Sequence, residues 1–525
     1  MLSLFHRAPA APPPVSLHRQ RGNVAPMLIL ALAGGLIASA FAFDVMRLDA
    51  NASQLKRAAD AAVLAVGHAA LENPDRSDTE LGQLAEQYVH ANPGLDRRLA
   101  NEIAAGSITL TRSDDGNRTL FAVQVEVDTR GALSGEALDT GEQHLTVTSR
   151  AEVIRDPLEV ALMLPNSRAE NGRHMAALRR LAHDVSAQLL EGDTREDTWV
   201  ALVPYAQAVN VFDADHPDRV LDWSDPATWR PAGESNLIAW FWRQGYRGLI
   251  DPLMPDRQMN LLCLGRGLLP GQNYAWQQPP DASFEIYYRF ELPSNGASRA
   301  YPDAPRIPRD NDNRAMIADY GCPRAPVLPL SDDQRAIDAR LSQMQAHFVI
   351  NLGIAMGWAG MTLAPEMGGV DGWGEHDRPL DFAADHHKAV VVLNSVFSSL
   401  DSDSYNYPQG KNSAIRTPGN QMAVEAGVMA ERIASLCASF EARDIKLYYL
   451  GLDRPPAVDP SNPIAGPAYQ AFRQQVIPTL TRCADGDLHE VRADGFASAE
   501  ASMGDYLSDI VADLQHRRSS VRLIE

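Results

Sequence analysis

Four cysteines in 525 residues are too few for a disulfide scaffold, and none of Cys263, Cys322, Cys437 and Cys483 stands in a C-x-x-C pair. The spacing argues against a thioredoxin-like dithiol and against the usual structural zinc arrangements. The even count and wide separation leave two readings open: two structural bridges in an oxidising compartment, or four ordinary thiols in a reducing one. Basic charge is also short, with 47 Lys and Arg against 67 Asp and Glu and a formal net charge of -20. A nucleic-acid binder needs a basic face to displace counterions from phosphate, so no nucleic-acid partner is expected. A phosphate cradle is missing too: "GRGLLPG" (265–271) neither follows a strand nor opens a helix.

Charge is absent altogether from Gly22–Phe43, a run of 22 residues. At about 1.5 Å per helical residue such a run spans roughly the 30 Å hydrocarbon layer of a bilayer. The flank before it carries Arg7, Arg19 and Arg21, a Pro-rich run from Pro9 to Pro14, and no acidic residue. That bias predicts a cytoplasmic tail over residues 1–21, a transmembrane helix over 22–43, and everything after Asp44 on the far side of the inner membrane, in the periplasm. A cleaved signal peptide is the competing reading, since "SAFA" offers a small-x-small site. The helical pattern runs straight through Asp44 to about Glu72, which favours an uncleaved anchor.

What is present is ordinary globular material, 45% hydrophobic and 22% charged, so most of the chain is expected to bury a core. At about 150 residues per domain the length predicts two to four domains. Leu55, Ala58, Ala59, Ala62, Val66 and Ala69 form an apolar stripe at helical spacing, ended by Asn73-Pro74. A second helix is predicted over Ser77–Ala91. Alternating runs follow at 107–113, 120–129 and 144–154, with Asp114-Asp115-Gly116-Asn117 as a hairpin turn. Residues 44–156 thus read as a long helix carrying a small α+β module. From 157 the pattern becomes α/β. Apolar strands at 158–164, 198–206, 387–395 and 445–452 alternate with helices at 173–190, 332–345, 421–442, 469–483 and 498–517. This implies a doubly wound, mostly parallel sheet covered on both faces. Residues 213–330, rich in Pro, Trp and Tyr, are too long for a loop and read as an insertion over one sheet edge.

At the N-terminus, "RGNVAPMLILALAGGLIASAFAFDVMRL" followed by "QLKRAADAAVLAV" resembles the first segment of TadE/TadG-type proteins of the Flp (tight adherence) pilus system. That family shows an Arg-Gly start, an apolar span, an Asp just after it and a Q-x-A-A-D-A-A-A-L-A helix. The resemblance implies a TadG-like chain whose residues 157–525 form a von Willebrand factor A-like domain, and the strand–helix order from 157 on is similar to such a domain. Those domains often hold Mg²⁺ on a D-x-S-x-S loop after the first strand, a Thr from a second loop and an Asp from a third, all hard oxygen ligands. Aligned on that pattern, Pro165 stands at the first Asp, Ser167 at the first Ser and Ala169 at the second. In "LSQMQAHFVINLGIAMGW" the residues Asn351, Leu352, Gly353, Ala355, Gly357 and Trp358 match the second-loop pattern, but Phe348 or Val349 replaces the Thr. In "VVVLNSVFSS" Asn394 and Ser395 take the Thr and Asp places. A proline and apolar side chains cannot ligate a divalent cation, so the resemblance implies a retained scaffold with a degenerate metal site and no cofactor.

The likeness continues in "CASFEARDIKLYYLGLD", in "CPRAPVLPLSDD" and to the C-terminus, and it implies a Cys437–Cys483 bridge with Cys263 left as the mate of Cys322. It also implies partners among the Tad pilus machinery or minor pilins, no small-molecule substrate, and no catalysis. A cell-surface or periplasmic adhesion module unrelated to pili is the alternative, and a hydrolase in the insertion is a third reading. Other motifs are read as structural. "GEHD" (374–377) and "DHHK" (385–388) are taken as a loop entering a strand. Asp401 and Asp403 lack the bidentate Glu of a calcium loop. Ser167 has no histidine at motif spacing to act as its base. Trp223, Trp229, Trp240, Trp242, Tyr246 and Tyr274 are read as the insertion's own core.

Overall fold

A computed structural model of the chain describes residues 24–73, 76–92, 94–95, 97–104, 106–115, 118–130, 142–191, 197–206, 208–212, 263–264, 289–291, 315–317, 322–346, 350–369, 372–374, 377–395, 420–456 and 465–524. The tail, most of the insertion with its aromatic residues, "GRGLLPG", His376, Phe348, Val349 and the Asp401/Asp403 loop lie outside these. The chain divides into two compact units, one of Met1–Asp115, Thr119–Val153 and Val521–Glu525, the other of Gly116–Arg118 and Ile154–Ser520.

In the first unit one helix, α1 (Ala25–Glu72), carries both the apolar span and the Ala-rich stripe. Its first half exposes Met27, Leu28, Leu30, Leu32 and Leu36 and is long and apolar enough to cross a membrane. Its second half buries Leu55, Ala58, Ala59, Ala62, Val63 and Val66. α2 (Asp78–Ala91) starts on a capping box. Ser77 Oγ accepts from the Glu80 N–H, and Glu80 accepts from the Ser77 N–H in return. After the short α3 (Arg97–Glu102), strands β1 (Ile108–Asp115), β2 (Arg118–Arg130) and β3 (Glu142–Arg155) lie side by side, and the C-terminal strand Ser519–Ile524 pairs beyond β3. Alternate residues of β2 (Phe121, Val123, Val125 and Val127) pack on the α1 stripe and on Leu81, Ala85 and Val89 of α2. Gly67 of α1 meets the C-terminal strand directly, because a Cβ there would lie 2.6 Å from Val521 Cγ1. The sequence pattern ends the last helix at 517 and assigns no strand to the residues after it.

The second unit runs β4 (Leu158–Pro165), α4 (Arg173–Leu189), β5 (Thr198–Tyr205), β6 (Val209–Asn210), β7 (Cys263–Leu264), β8 (Arg289–Glu291), β9 (Ala315–Ile317), β10 (Leu328–Ser331), α5 (Gln334–Gln343), α6 (Leu352–Leu363), β11 (His387–Asn394), α7 (Asn420–Glu441), β12 (Ile445–Asp453), α8 (Ala465–Ala471), α9 (Ile477–Cys483), β13 (Leu488–Arg492) and α10 (Phe496–Arg517). β8 and β9 pair only with each other. β5, β4, β11, β12 and β13 pair in parallel, while β10 pairs antiparallel with β5 at the edge and β6 and β7 extend past its end. Numbered by chain position, β10-β5-β4-β11-β12-β13 is the order 3-2-1-4-5-6 of a doubly wound sheet. The insertion as bounded from sequence therefore ends inside the sheet, because β10 is its antiparallel edge strand.

Strand alternation sorts the core into two layers. Ala161 and Met163 of β4 face α6, α7 and α9, whereas Val160, Leu162 and Leu164 face α4, α5 and α10. Every residue of α6 is buried. The run read as one helix over 469–483 is three pieces, with a π turn (Phe472–Val476) between α8 and α9. Pro478 in the first turn of α9 lacks the N–H that a continuous helix would use.

Candidate functional site

In an open sheet of this order, ligand crevices lie beyond the carboxyl ends of the strands where the winding reverses. Here that point lies between β4 and β11, and three loops meet there. The first follows Pro165, which pairs with Tyr205 of β5 and has no side-chain oxygen. The Asn166 N–H donates to Tyr205 O at 2.7 Å. Ser167 O accepts from the Glu170 N–H at 2.9 Å, and Ser167 Oγ accepts from the Ala169 N–H at 3.1 Å. The Ser167 hydroxyl is thus used in its own turn. Gly172 closes the loop at φ +55°, the left-handed region that favours glycine, immediately before α4.

The second loop reaches the same place through Asn351, whose N–H donates to Ala206 O at 2.8 Å and whose Oδ1 caps α6 by accepting from the Ile354 N–H at 3.1 Å. The third is the end of β11. Tyr205 Oη lies 2.8 Å from Leu393 O and 3.3 Å from Asn394 Oδ1, and Asn394 Nδ2 donates to Tyr449 Oη at 2.8 Å. The Asn394 amide is held between two tyrosines. Burial pushes both phenols well above their ordinary range, so they act as neutral hydrogen-bonding groups. Gly451 leaves room for the second ring, since a Cβ there would stand 2.7 Å from it.

Around these contacts sit buried polar atoms with no hydrogen-bond partner among the described residues: both amide atoms of Asn166, Asn351 Nδ2 and Ser395 Oγ. All are neutral. The nearby charge is Glu170, fully buried. Its Oε2 accepts from the Phe496 N–H at the start of α10 (3.3 Å), and its Oε1 lies 3.5 Å from Arg454 Nη1 after β12. Burial pushes the Glu170 carboxyl up to about 7, against the lowering pull of that N–H and of Arg454. No group of three or more His, Cys, Asp or Glu side chains able to hold a metal occurs among the described residues. The geometry offers neutral donors and acceptors.

The other singled-out residues lie elsewhere. His386 and His387 flank the start of β11, at the opposite end of the strand from the crevice. His386 Nδ1 lies 2.6 Å from Asp381, and His387 Nε2 lies 3.4 Å from Asp156. Cys263 bonds Cys322, and Cys437 bonds Cys483. Sequence reasoning passed over Tyr205, Tyr449 and Glu170. It also passed over Lys388, whose signal was available: a lone Glu and a lone Lys each stand second in an apolar strand.

No protein-family model matches the chain, and no curated protein is similar to it in sequence. Among solved structures it is similar to the pilus adhesin SpaC from Lactobacillus rhamnosus GG, with 9% identity, a TM-score of 0.31, and coverage of 78% of this chain and 35% of that one. It is also similar to the adhesive tip pilin GBS104 from Group B Streptococcus agalactiae (11%, 0.28, 80% and 70%) and to the pilus adhesin RrgA from Streptococcus pneumoniae (10%, 0.24, 79% and 49%). The chain spans about a third of the length of SpaC. Likenesses this weak fix neither family nor fold.

Proposed function

We propose that this chain is a membrane-anchored, TadG-like component of Flp pilus assembly or anchoring, which works by protein–protein contacts and without catalysis. The apolar span Gly22–Phe43, which α1 carries from Ala25 on, would hold it in the inner membrane, with its bulk in the periplasm, and the second unit would be a von Willebrand A-like domain whose ion site has been lost. The observation that carries this reading is the continuous helix Ala25–Glu72, which joins the apolar span to the Ala-rich segment in the residue pattern of the TadE/TadG family. The switch-point loops support the contact role. Pro165 and Ala169 bring no ligand, Ser167 Oγ is engaged in its turn, and Asn394 is locked between tyrosines. Partners would be other Tad proteins or minor pilins.

Deleting the gene tests the reading, with loss of surface pili and of adherence expected. Unchanged pilus number and adherence would overturn it. Crosslinking in intact membranes followed by mass spectrometry is expected to recover Tad components on the second unit.

A further inference from the structure

The two disulfides differ in access. Cys263 and Cys322 are both 0% exposed and pack with Ala208. Cys437 of α7 and Cys483 at the end of α9 are only half-buried, and both line a cleft of about 580 Å³ at the amino end of β12. This cleft lies at the opposite end of the sheet from the switch point. Its charged walls are Glu441, Asp444, Lys446, Arg482, Asp485 and Arg517. Two of the cations are already committed, Lys446 to Asp487 and Arg517 to Asp513, each at 2.6 Å. The wall carries three acids and three bases, so charge selects weakly among entrants. All four cysteines of the chain are paired, so no internal thiol is available to attack either bridge.

We infer that Cys437–Cys483 is a thiol–disulfide exchange site open to low-molecular-weight thiols, while Cys263–Cys322 is a closed structural bridge. The reductant is an external thiolate, RS⁻. It attacks one bridge sulfur, the S–S bond breaks, a mixed disulfide forms and the other cysteine leaves as a thiolate. A second RS⁻ attacks the R-bearing sulfur of the mixed disulfide, which releases RSSR and the second cysteine thiolate. Two electrons pass from two thiols to the bridge, and solvent supplies the protons that the cysteines take up. The product removes the covalent link between α7 and α9, two helices that pack in one core on the same face of the sheet. Burial denies the same approach to Cys263–Cys322, since exchange needs an approach to the sulfur.

The test uses the full chain in detergent, natively folded, with graded reduced glutathione, iodoacetamide quenching and peptide mass spectrometry. Cys437 and Cys483 are expected to label at least roughly ten-fold faster than Cys263 and Cys322, with a glutathione adduct on one of the first pair at early times. In denaturant the two pairs are expected to react alike. Equal native rates, earlier labelling of Cys263–Cys322, or a difference that persists in denaturant would each overturn the assignment.

Discussion

Lys388 of β11 and Glu159 of β4 stand opposite each other in parallel register and form an ion pair 2.5 Å long, with each side chain 1% exposed. Lys388 Nζ also donates to Leu363 O at 2.9 Å and to Leu380 O at 2.6 Å, so all three ammonium protons have acceptors. Glu159 Oε1 accepts from the Leu380 N–H at 2.7 Å and has Arg378 at 3.7 Å. Burial lowers the Lys388 pKa while Glu159 opposes the shift. Removing one partner leaves the other buried and uncompensated, so Lys388→Met is expected to cost about 3–5 kcal/mol. Replacing both, as Lys388→Met with Glu159→Leu, is expected to restore most of the lost stability. Urea midpoints decide this. A double variant as unstable as the single one would mean that the pair adds more than it costs to bury.

Glu170 makes stability depend on pH in the direction opposite to a salt-bridged surface acid. Its pKa rises from 4.5 to about 7 on folding, chiefly because it is buried. Between those values the folded protein keeps a proton that the unfolded chain has released. The stabilisation is full below pH 4.5 and is lost as pH rises through 7, by up to ~3 kcal/mol. The groups facing it are Arg454 and the Phe496 N–H. Glu170→Gln is expected to flatten the stability–pH curve across this window and to stabilise the protein at neutral pH. A curve unchanged by the substitution would show that Glu170 ionises normally.

The amino end of α10 has no cap of its own. The Ala497 N–H donates to His174 Nδ1 at 3.2 Å, and a Cβ on Gly495 would fall 2.4 Å from that same nitrogen. Gly495→Ala must therefore push the imidazole away and uncap the helix, which predicts a loss of about 0.5–2 kcal/mol, the usual worth of a cap. His174→Ala removes both the cap and the clash. Adding Gly495→Ala to it is then expected to cost little, so the two losses will not sum. Additive losses in thermal unfolding would mean that the clash is relieved without moving His174.

The central strands were legible because both of their faces are buried. β4 and β11 read as apolar runs with one charge each near the start, Glu159 and Lys388, and their neighbours follow the same rule. α6 was not legible for a related reason. "LGIAMGWAGMTL" is apolar all round and has no polar face to show a helical period. The stripe of α1 and the capping box of α2 are local signals and could be read directly. Of the crevice, its three loops were legible, through Pro165 to Ala169, Asn351, and Asn394 with Ser395. Its other parts come from distant sequence. Tyr205 reaches Leu393 O across 188 residues, and Glu170 reaches the Phe496 N–H across 326. No periodicity encodes contacts of that kind; they follow from sheet order.

The proposed loss of an ion site at the switch-point loops makes the most direct prediction. Mg²⁺ sheds its water only for several well-placed hard oxygens. The first loop supplies two neutral oxygens, Asn166 Oδ1 and Ser167 Oγ, and the second already accepts from the Ala169 N–H. Asn394 is turned toward Tyr205 and Tyr449, and Ser395 brings no charge. Glu170, the nearby carboxylate, is pointed at the start of α10 and at Arg454, with an affinity for protons that competes with any metal near pH 7. Calorimetric titration of the full chain with Mg²⁺ is therefore expected to show no saturable heat, and unfolding temperature is expected to be indifferent to the ion. Micromolar binding that Ser167→Ala abolishes would show that the loop opens its turn to a cation, and the switch point would then have to be reassigned from direct protein contact to ion-bridged contact.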